Sequence, residues 1–215
     1  MKTGVITNGS ILWKKDVLYD LMNAETVNIT LSAGTDETFR KLHRPFKSLS
    51  IEKVFEGMKS FASAFKGELW IEVMLVKGIN SGEDEMKKIK KLISKLNPHK
   101  VFVMTPTRPP AETDVFSPDR QTIEKALQLF DGIDASVPED GGFGISALET
   151  AADEIIGICK RHPLRLEQAR QIENSRGKDV VKILERRGIV ERVRYGEYIF
   201  LEYIPNKKNV GKIKK

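Results

Sequence analysis

The sequence predicts an α/β protein in two parts: a parallel sheet of about four strands with covering helices, then a small winged helix-turn-helix. Three observations carry this reading. Short apolar runs alternate with helical periodicities up to residue 130, as in consecutive βα units. An acidic, turn-rich stretch, Asp131 to Gly144, then breaks the pattern. Beyond it, short amphipathic helices precede a hairpin around Tyr195-Gly196. A length of 215 residues also exceeds the usual single-domain size. The expected divisions are 1–130 for the βα part, 131–144 for a linker, 145–205 for the winged helix and 206–215 for a basic flexible tail.

Four runs read as strands: Val5 to Thr7, Val27 to Leu31, Leu69 to Val76 and Lys100 to Thr105. Thr35 reads as the cap of a helix that opens with Asp36 and Glu37. Ile51, Val54, Phe55, Met58, Phe61, Ala62 and Phe65 recur at three- and four-residue steps, so one face of that helix must cover the sheet. Met86, Ile89, Leu92, Ile93 and Leu96 form a second stripe after a Ser81 cap with Asp84 three residues on. Ile123, Leu127 and Phe130 form a third after Ser117-Pro118, where Ser caps and Pro takes the first helical position. Four strands cannot close an eight-stranded barrel, so an open sheet with an exposed first edge is expected unless another segment or chain adds strands. The linker glycines lack both the preceding strand and the following Lys-Ser/Thr of a phosphate loop.

In the second part, Ala147 to Arg161 reads as an amphipathic helix, Leu164 to Ile172 as a short one, Asn174 to Gly177 as a turn and Lys178 to Arg187 as a second short helix ended by Gly188. Ile189 to Arg194 and Glu197 to Tyr203 make the hairpin, which puts Arg192 and Arg194 on the wing. With Val180, Val181, Ile183 and Leu184 turned inward, Lys178, Lys182, Arg186 and Arg187 would face solvent. Arg176 precedes them at the helix start. Residues 1–144 hold 20 Lys+Arg against 20 Asp+Glu and residues 145–215 hold 16 against 10, so the net charge of +6 lies in the second part. Two readings stand: an RNA- or DNA-binding face contacting phosphates, or a solvated surface with a Lys-rich tail.

Composition excludes several classes. One cysteine, Cys159, rules out an internal disulfide framework and reads as a buried inert thiol beside Ile155, Ile156 and Ile158. His43, His99 and His162 lie far apart without ligand spacing, so no metal site is assigned. No run reaches the roughly 18 to 20 apolar residues that span a bilayer, and the start has neither signal-peptide nor transit-peptide order, which makes a cytoplasmic protein without a membrane partner the expectation.

Three further segments carry a family likeness: Val5-Ile6-Thr7-Asn8-Gly9-Ser10; Val27 to Phe39 ending in Leu42-His43-Arg44-Pro45; and Glu72 to Asn80 followed by Thr105-Pro106-Thr107-Arg108-Pro109-Pro110-Ala111-Glu112. Together they resemble radical S-adenosylmethionine proteins, and within them the branch that includes the tRNA wyosine-base synthases. The resemblance implies a partial (β/α) barrel-like sheet, matched from the third family strand onward over roughly residues 4 to 130. It lacks the Cys-x3-Cys-x2-Cys loop that holds a [4Fe-4S] cluster and the Gly-Gly-Glu motif. It also implies S-adenosylmethionine as cofactor, a cluster only if a missing amino-terminal half or partner subunit supplies it, and no activity for this chain alone. By the same resemblance Thr7 and Asn8 would lie near the cofactor, Thr30 and Ser32 near its ribose or methionyl part, and Asn80 would match the Asn after the fifth family strand. Where the family commonly shows Ser-Leu-Asp, this chain has Thr30-Leu31-Ser32, which keeps a hydroxyl and loses the carboxylate.

Arg108 precedes two prolines that fix an extended backbone, so its guanidinium is a candidate for positioning an anionic substrate, with Arg44 before Pro45 as a second. The plainer reading of Arg108 is an ion pair with Glu112 or Asp114. No Asp/Glu pair in the first part shows a spacing that separates acid and base roles, and His43 stands as a lone candidate.

Overall fold

The computed structural model describes residues 2–112, 114–136 and 150–205. The chain divides into two compact units, Met1–Pro106 with Glu112–Val137, and Thr107–Ala111 with Pro138–Lys215.

In the first unit the strands are β1 (Gly4–Thr7), β2 (Thr26–Thr30), β3 (Glu68–Met74), β4 (Lys100–Met104) and β5 (Ile133–Asp134), in the spatial order β1-β2-β3-β4-β5. Every neighbouring pair is parallel. The helices are α1 (Lys15–Leu21), α2 (Asp36–His43), α3 (Ile51–Ala64), α4 (Glu83–Leu96) and α5 (Arg120–Phe130). The fifth strand falls inside the stretch expected to be linker, where Gly132 lies tight against Val103 and leads the chain back to β4. The rest of that linker, from residue 137, lies outside the described residues, as does the 206–215 tail.

Strand alternation decides the layers. Val27, Ile29, Leu69, Ile71, Val73, Val101 and Val103 are buried together with Phe39 of α2, Val54, Met58 and Phe61 of α3, Ile89 and Ile93 of α4, and Ala126 and Phe130 of α5. Removing each such side chain from water is worth about 1.5–3 kcal/mol, which fixes the strand register, since a one-residue slip would turn the set outward. The intervening residues belong to the second face, where Asn28, Thr30, Trp70, Glu72, Met74, Phe102 and Met104 are only half-buried and Ile6 is 76% exposed.

Local caps set the helix starts. Thr35 Oγ1 accepts from Thr38 N as expected, and Glu85 of α4 adds a second lock, its Oε1 accepting from Gly34 N at 2.7 Å and Thr35 N at 3.1 Å. Two expected caps are different. Ser81 Oγ accepts from Gly78 N within a tight turn, and Gly82 holds the cap position of α4. Asp119 caps α5 by accepting from Thr122 N, while Ser117 Oγ donates to Pro106 O, so that helix starts later than Pro118.

The second unit contains α6 (Ala151–Cys159), β6 (Leu164–Arg165), α7 (Leu166–Arg176), α8 (Val180–Arg186), β7 (Val190–Tyr195) and β8 (Tyr198–Tyr203). Its antiparallel sheet has the order β6-β8-β7, which with three helices is the element order of a winged helix. The periodicity gave no sign of β6, which takes Leu164 and Arg165 from the start of the expected helix, and of the turn expected over Asn174 to Gly177 the first three residues belong to α7, with Gly177 as its cap. The core joins Ile155, Leu164, Ala169, Leu184 and Leu201. Ile183, expected inside, is 43% exposed, because a helix of 7 residues buries only Val181 and Leu184.

Candidate functional site

Loops after the carboxyl ends of parallel strands line the sites of barrel-like folds, and this end of the first unit holds a cavity of about 310 Å³. Asn8, Ser10 and Ile11 come from the loop after β1; Thr30 to Ala33 come from the end of β2; Phe39, His43, Leu49, Val54 and Met58 close it from α2, α3 and the segment between them. The volume is that of a small-molecule site, mostly apolar with a few placed polar groups. Phe46, 81% exposed, and Ile11, 46% exposed, stand at its rim.

The β1 loop is held there by its own hydrogen bonds and by close backbone approach. Thr7 Oγ1 accepts from Gly9 N at 3.1 Å, and Asn8 Oδ1 accepts from Ser10 N at 3.0 Å. Gly9 sits at φ +65°, and a Cβ on it would meet Met58 Cε at 2.7 Å. Gly57 of α3 is equally constrained, since a Cβ there would meet Trp13 N at 2.5 Å. The His43 ring lies 5.2 Å from that of Phe39 at a tilt of 43°, and desolvation by burial holds its imidazole below the usual pKa.

The candidate residues separate into those that line the cavity and those that build it. Asn8, Thr30 and Ser32 line it. Thr7 is outside the lining and serves the turn. Asn80 corrects the expectation of ligand contact. It is 0% exposed, its Nδ2 donates to Ser32 O at 2.8 Å and Met74 O at 2.7 Å, and its Oδ1 accepts from Val76 N at 2.7 Å. Both amide hydrogens are spent on backbone, so Asn80 ties the ends of β2 and β3 together. Ser32 has a double part, because its Oγ accepts from Met74 N at 2.9 Å.

Arg44 is exposed and pairs with Glu112 at 2.7 Å, which holds the Glu112 carboxyl below its ordinary pKa. Glu112, one of the two carboxylates that the plainer reading offered to Arg108, is thus held by Arg44. Arg108 is half-buried and lies in the Thr107–Ala111 segment grouped with the second unit.

The cationic face of the winged helix is smaller than expected. Lys182 pairs with Asp179 at 2.8 Å, and Arg192 makes a two-pronged pair with Glu185 of α8 at 2.6 and 2.9 Å. Lys178, Arg186 and Arg194 are exposed; the Arg176 side chain lies outside the described residues. Residues 150–205 hold 11 Lys+Arg against 9 Asp+Glu, so most of the positive excess belongs to the stretch from residue 206 onward.

Two groups escaped sequence reasoning. Ser10 and Ile11 follow the Thr-Asn-Gly string into the cavity lining. On the second face of the sheet, Glu72 of β3 is half-buried beside Asn28 and Thr30 of β2, with Asn28 Nδ2 donating to Glu72 Oε2 at 3.5 Å. Burial pushes the Glu72 carboxyl above its ordinary pKa, against the hydrogen bonds from Asn28 and Thr30. A polar side chain in strand alternation reads simply as solvent-facing, which hid this cluster.

A [4Fe-4S] cluster does not fit the residues present. It needs several thiolates, and the one cysteine is buried in the second unit, with its Sγ 3.6 Å from Leu201 O and its pKa raised by desolvation to about 11. This agrees with the inert thiol expected from sequence. No group of three or more His, Cys, Asp or Glu is placed to hold a metal among the described residues. Nor is any described helix long and apolar enough to cross a membrane.

No family model matches the chain. A UPF0026 protein of Methanocaldococcus jannaschii is 29% identical over 215 residues, covering 97% of this chain and 66% of the relative. A GTPase Obg of Brachyspira hyodysenteriae is 35% identical over 164 residues, 74% of this chain and 24% of that protein. A probable dual-specificity RNA methyltransferase RlmN of Thermotoga sp. is 34% identical over 104 residues, 47% of this chain and 29% of that protein. The chain thus spans less than two thirds of the length of each of these relatives. Among solved structures, a domain of pyruvate-formate lyase-activating enzyme from Bacteroides vulgatus superposes with a TM-score of 0.51 at 16% identity, over 63% of this chain and 82% of that one. A radical SAM methyltransferase from Sphaerobacter thermophilus gives 0.52 at 12% identity, over 64% and 40%. The chain has a radical-SAM-like fold and is related to UPF0026 proteins.

Proposed function

We propose that the chain is the carboxyl-side portion of a radical S-adenosylmethionine protein, that its cavity binds S-adenosylmethionine, and that a cluster-bearing segment or partner completes the enzyme. The observation that carries this is the convergence of Asn8, Thr30 and Ser32 on one cavity of about 310 Å³ at the carboxyl ends of β1 and β2. The apolar wall from Phe39, Val54 and Met58 suits the adenine and the alkyl chain of the ligand, while Asn8 and Thr30 offer hydrogen bonds at the β-strand ends. When bound, S-adenosylmethionine supplies a sulfonium whose reductive cleavage is the family chemistry. The residues of this chain bind and orient it and keep water from its apolar part. The solved structures support a radical-SAM-like fold, and the wyosine-synthase branch rests on the sequence likeness alone. An RNA substrate is the reading favoured by the RNA methyltransferase among them together with the winged helix.

Isothermal titration of the chain with S-adenosylmethionine tests the first part. Saturable binding that weakens about tenfold in Asn8→Ala and Thr30→Val, with folding unchanged, is expected; binding equal in wild type and both variants, or none, overturns it. The second reading is a non-catalytic nucleic-acid- or protein-binding module acting through the winged helix. Its signature is RNA or duplex binding without cofactor that falls steeply with salt and is reduced by Arg186→Ala and Arg194→Ala.

A further inference from the structure

Two buried side-chain oxygens of the first unit, Ser136 Oγ and Asn28 Oδ1, have no hydrogen-bond partner among the described residues. Ser136 has the carboxylate of Asp134 beside it, already held by Ser136 N and Arg120, whereas Asn28 lies on the second face of the sheet, outside the cavity lining, beside Glu72. Its amide nitrogen reaches Glu72 Oε2 only at 3.5 Å, the outer limit of a hydrogen bond. The Glu72 carboxylate receives a hydrogen bond from that amide and one from Thr30, which leaves about half of its acceptor sites open. No Lys or Arg pairs with it among the described residues. The register sets Thr30, Glu72, Phe102 and Ile133 in one row across β2 to β5, and Ile6, Asn28, Trp70 and Lys100 in the next, where Lys100 Nζ lies over the Trp70 ring at 4.7 Å and not on Glu72.

A half-buried carboxylate without a cation, beside an amide oxygen without a donor, is costly in an apolar setting. A group that is both cationic and rich in donors would satisfy both at once. We propose that Asn28, Thr30 and Glu72 form a binding site for a protonated primary amine. The ammonium donates to the open Glu72 acceptor sites. Asn28, whose terminal torsion is broad, turns its oxygen toward the third ammonium hydrogen. Trp70 and Phe102, edge-to-face at 5.5 Å, lie beside it and exclude water. This site goes beyond the S-adenosylmethionine cavity, with which it shares Thr30, and its test with a simple amine reads Glu72, which is outside the cavity lining.

The test uses the full chain carrying Trp13→Phe, so that Trp70 is the remaining tryptophan, titrated with n-propylammonium chloride while its fluorescence is followed. Sodium chloride and n-propanol are the controls for ionic strength and for the apolar tail. A saturable change with the amine alone, weakened at least tenfold in Glu72→Gln, is the expected result. Glu72→Gln keeps size and shape, and a melting temperature at or above that of wild type checks that it remains folded. A response equal to that of sodium chloride, or one unchanged in Glu72→Gln, overturns the proposal. A further arm locates the natural source of the amine: S-adenosylmethionine affinity unchanged by Glu72→Gln points to a substrate amine, and a tenfold loss points to the ammonium of the cofactor.

Discussion

Two polar clusters sit on the same sheet and are built in opposite ways. At the ends of β2 and β3, Asn80 and Ser32 satisfy Val76 N, Met74 N, Met74 O and Ser32 O, with distances of 2.7 to 2.9 Å. Lower on the second face, Asn28 and Glu72 meet at 3.5 Å and leave an amide oxygen unpaired. A closed network specifies backbone geometry, because removing one member strands several buried groups. A loose one specifies nothing about the fold, so its polar groups are free to meet something else. Family resemblance had placed Asn80 among the cofactor contacts; the hydrogen bonding makes it the positioner of the residues that do line the cavity.

The largest effect should come from the closed cluster. Asn80→Ala removes three hydrogen bonds, two of them buried and one part-buried, and should cost about 3–4 kcal/mol in a denaturant titration, with S-adenosylmethionine affinity falling only as Ser32 and Thr30 lose their place. A loss under about 1 kcal/mol would mean that the network contributes no more than a surface pair. Ser32→Ala comes next. It takes the acceptor from Met74 N but leaves the carbonyl that Asn80 holds, so about 1–2 kcal/mol is expected by the same measurement.

How far these clusters could be read from sequence depends on what periodicity records. Val27, Ile29, Ile71, Val73 and Val103 announce their strands by alternation, and the α3 stripe of Val54, Met58 and Phe61 announces its sheet-covering face; all are buried as expected. By contrast α1 shows no stripe because it buries no residue fully, and β5 is two residues long, too short for any period. Asn8, Thr30 and Ser32 reached the cavity through family order, a signal that carries sequence position but not hydrogen bonding. Asn80 and Glu72 depended on which strands become neighbours: Asn80 meets Ser32, 48 residues away, and Glu72 meets Asn28, 44 residues away, and neither pairing leaves a local trace. Arg192 was read as a wing cation for the same reason, since its pair with Glu185 requires the hairpin to fold back on α8.

The loose cluster should respond with the opposite sign. Burial raises the Glu72 pKa in the folded chain, so the neutral form is favoured there: the stabilising contribution is complete below the ordinary carboxyl value of 4.5 and is lost as pH rises through the folded-state value. Glu72→Gln removes that loss. Its melting temperature should match wild type under acid conditions and exceed it at neutral pH, by the equivalent of about 0.5–1 kcal/mol once solvent screening of the exposed half is allowed for. A wild type that gains on the variant with rising pH would place an unrecognised cation beside Glu72.

Asn28→Val is the smallest change and the most discriminating. On a strand, valine fits the pleat at least as well as asparagine, so the backbone has no reason to resist it. The substitution removes an unpaired oxygen, which favours the folded state, and a hydrogen bond at the limit of its range, which hardly opposes it. The net effect on stability should lie within about 0.5 kcal/mol of zero. Combined with Glu72→Gln, the two changes should add to within about 0.5 kcal/mol, since a contact of 3.5 Å couples its partners weakly. Coupling above about 1.5 kcal/mol would show that Asn28 and Glu72 hold each other as firmly as Asn80 holds Ser32. The contrast between a clamped and an open cluster would then disappear, and with it the reason to expect an amine at the second.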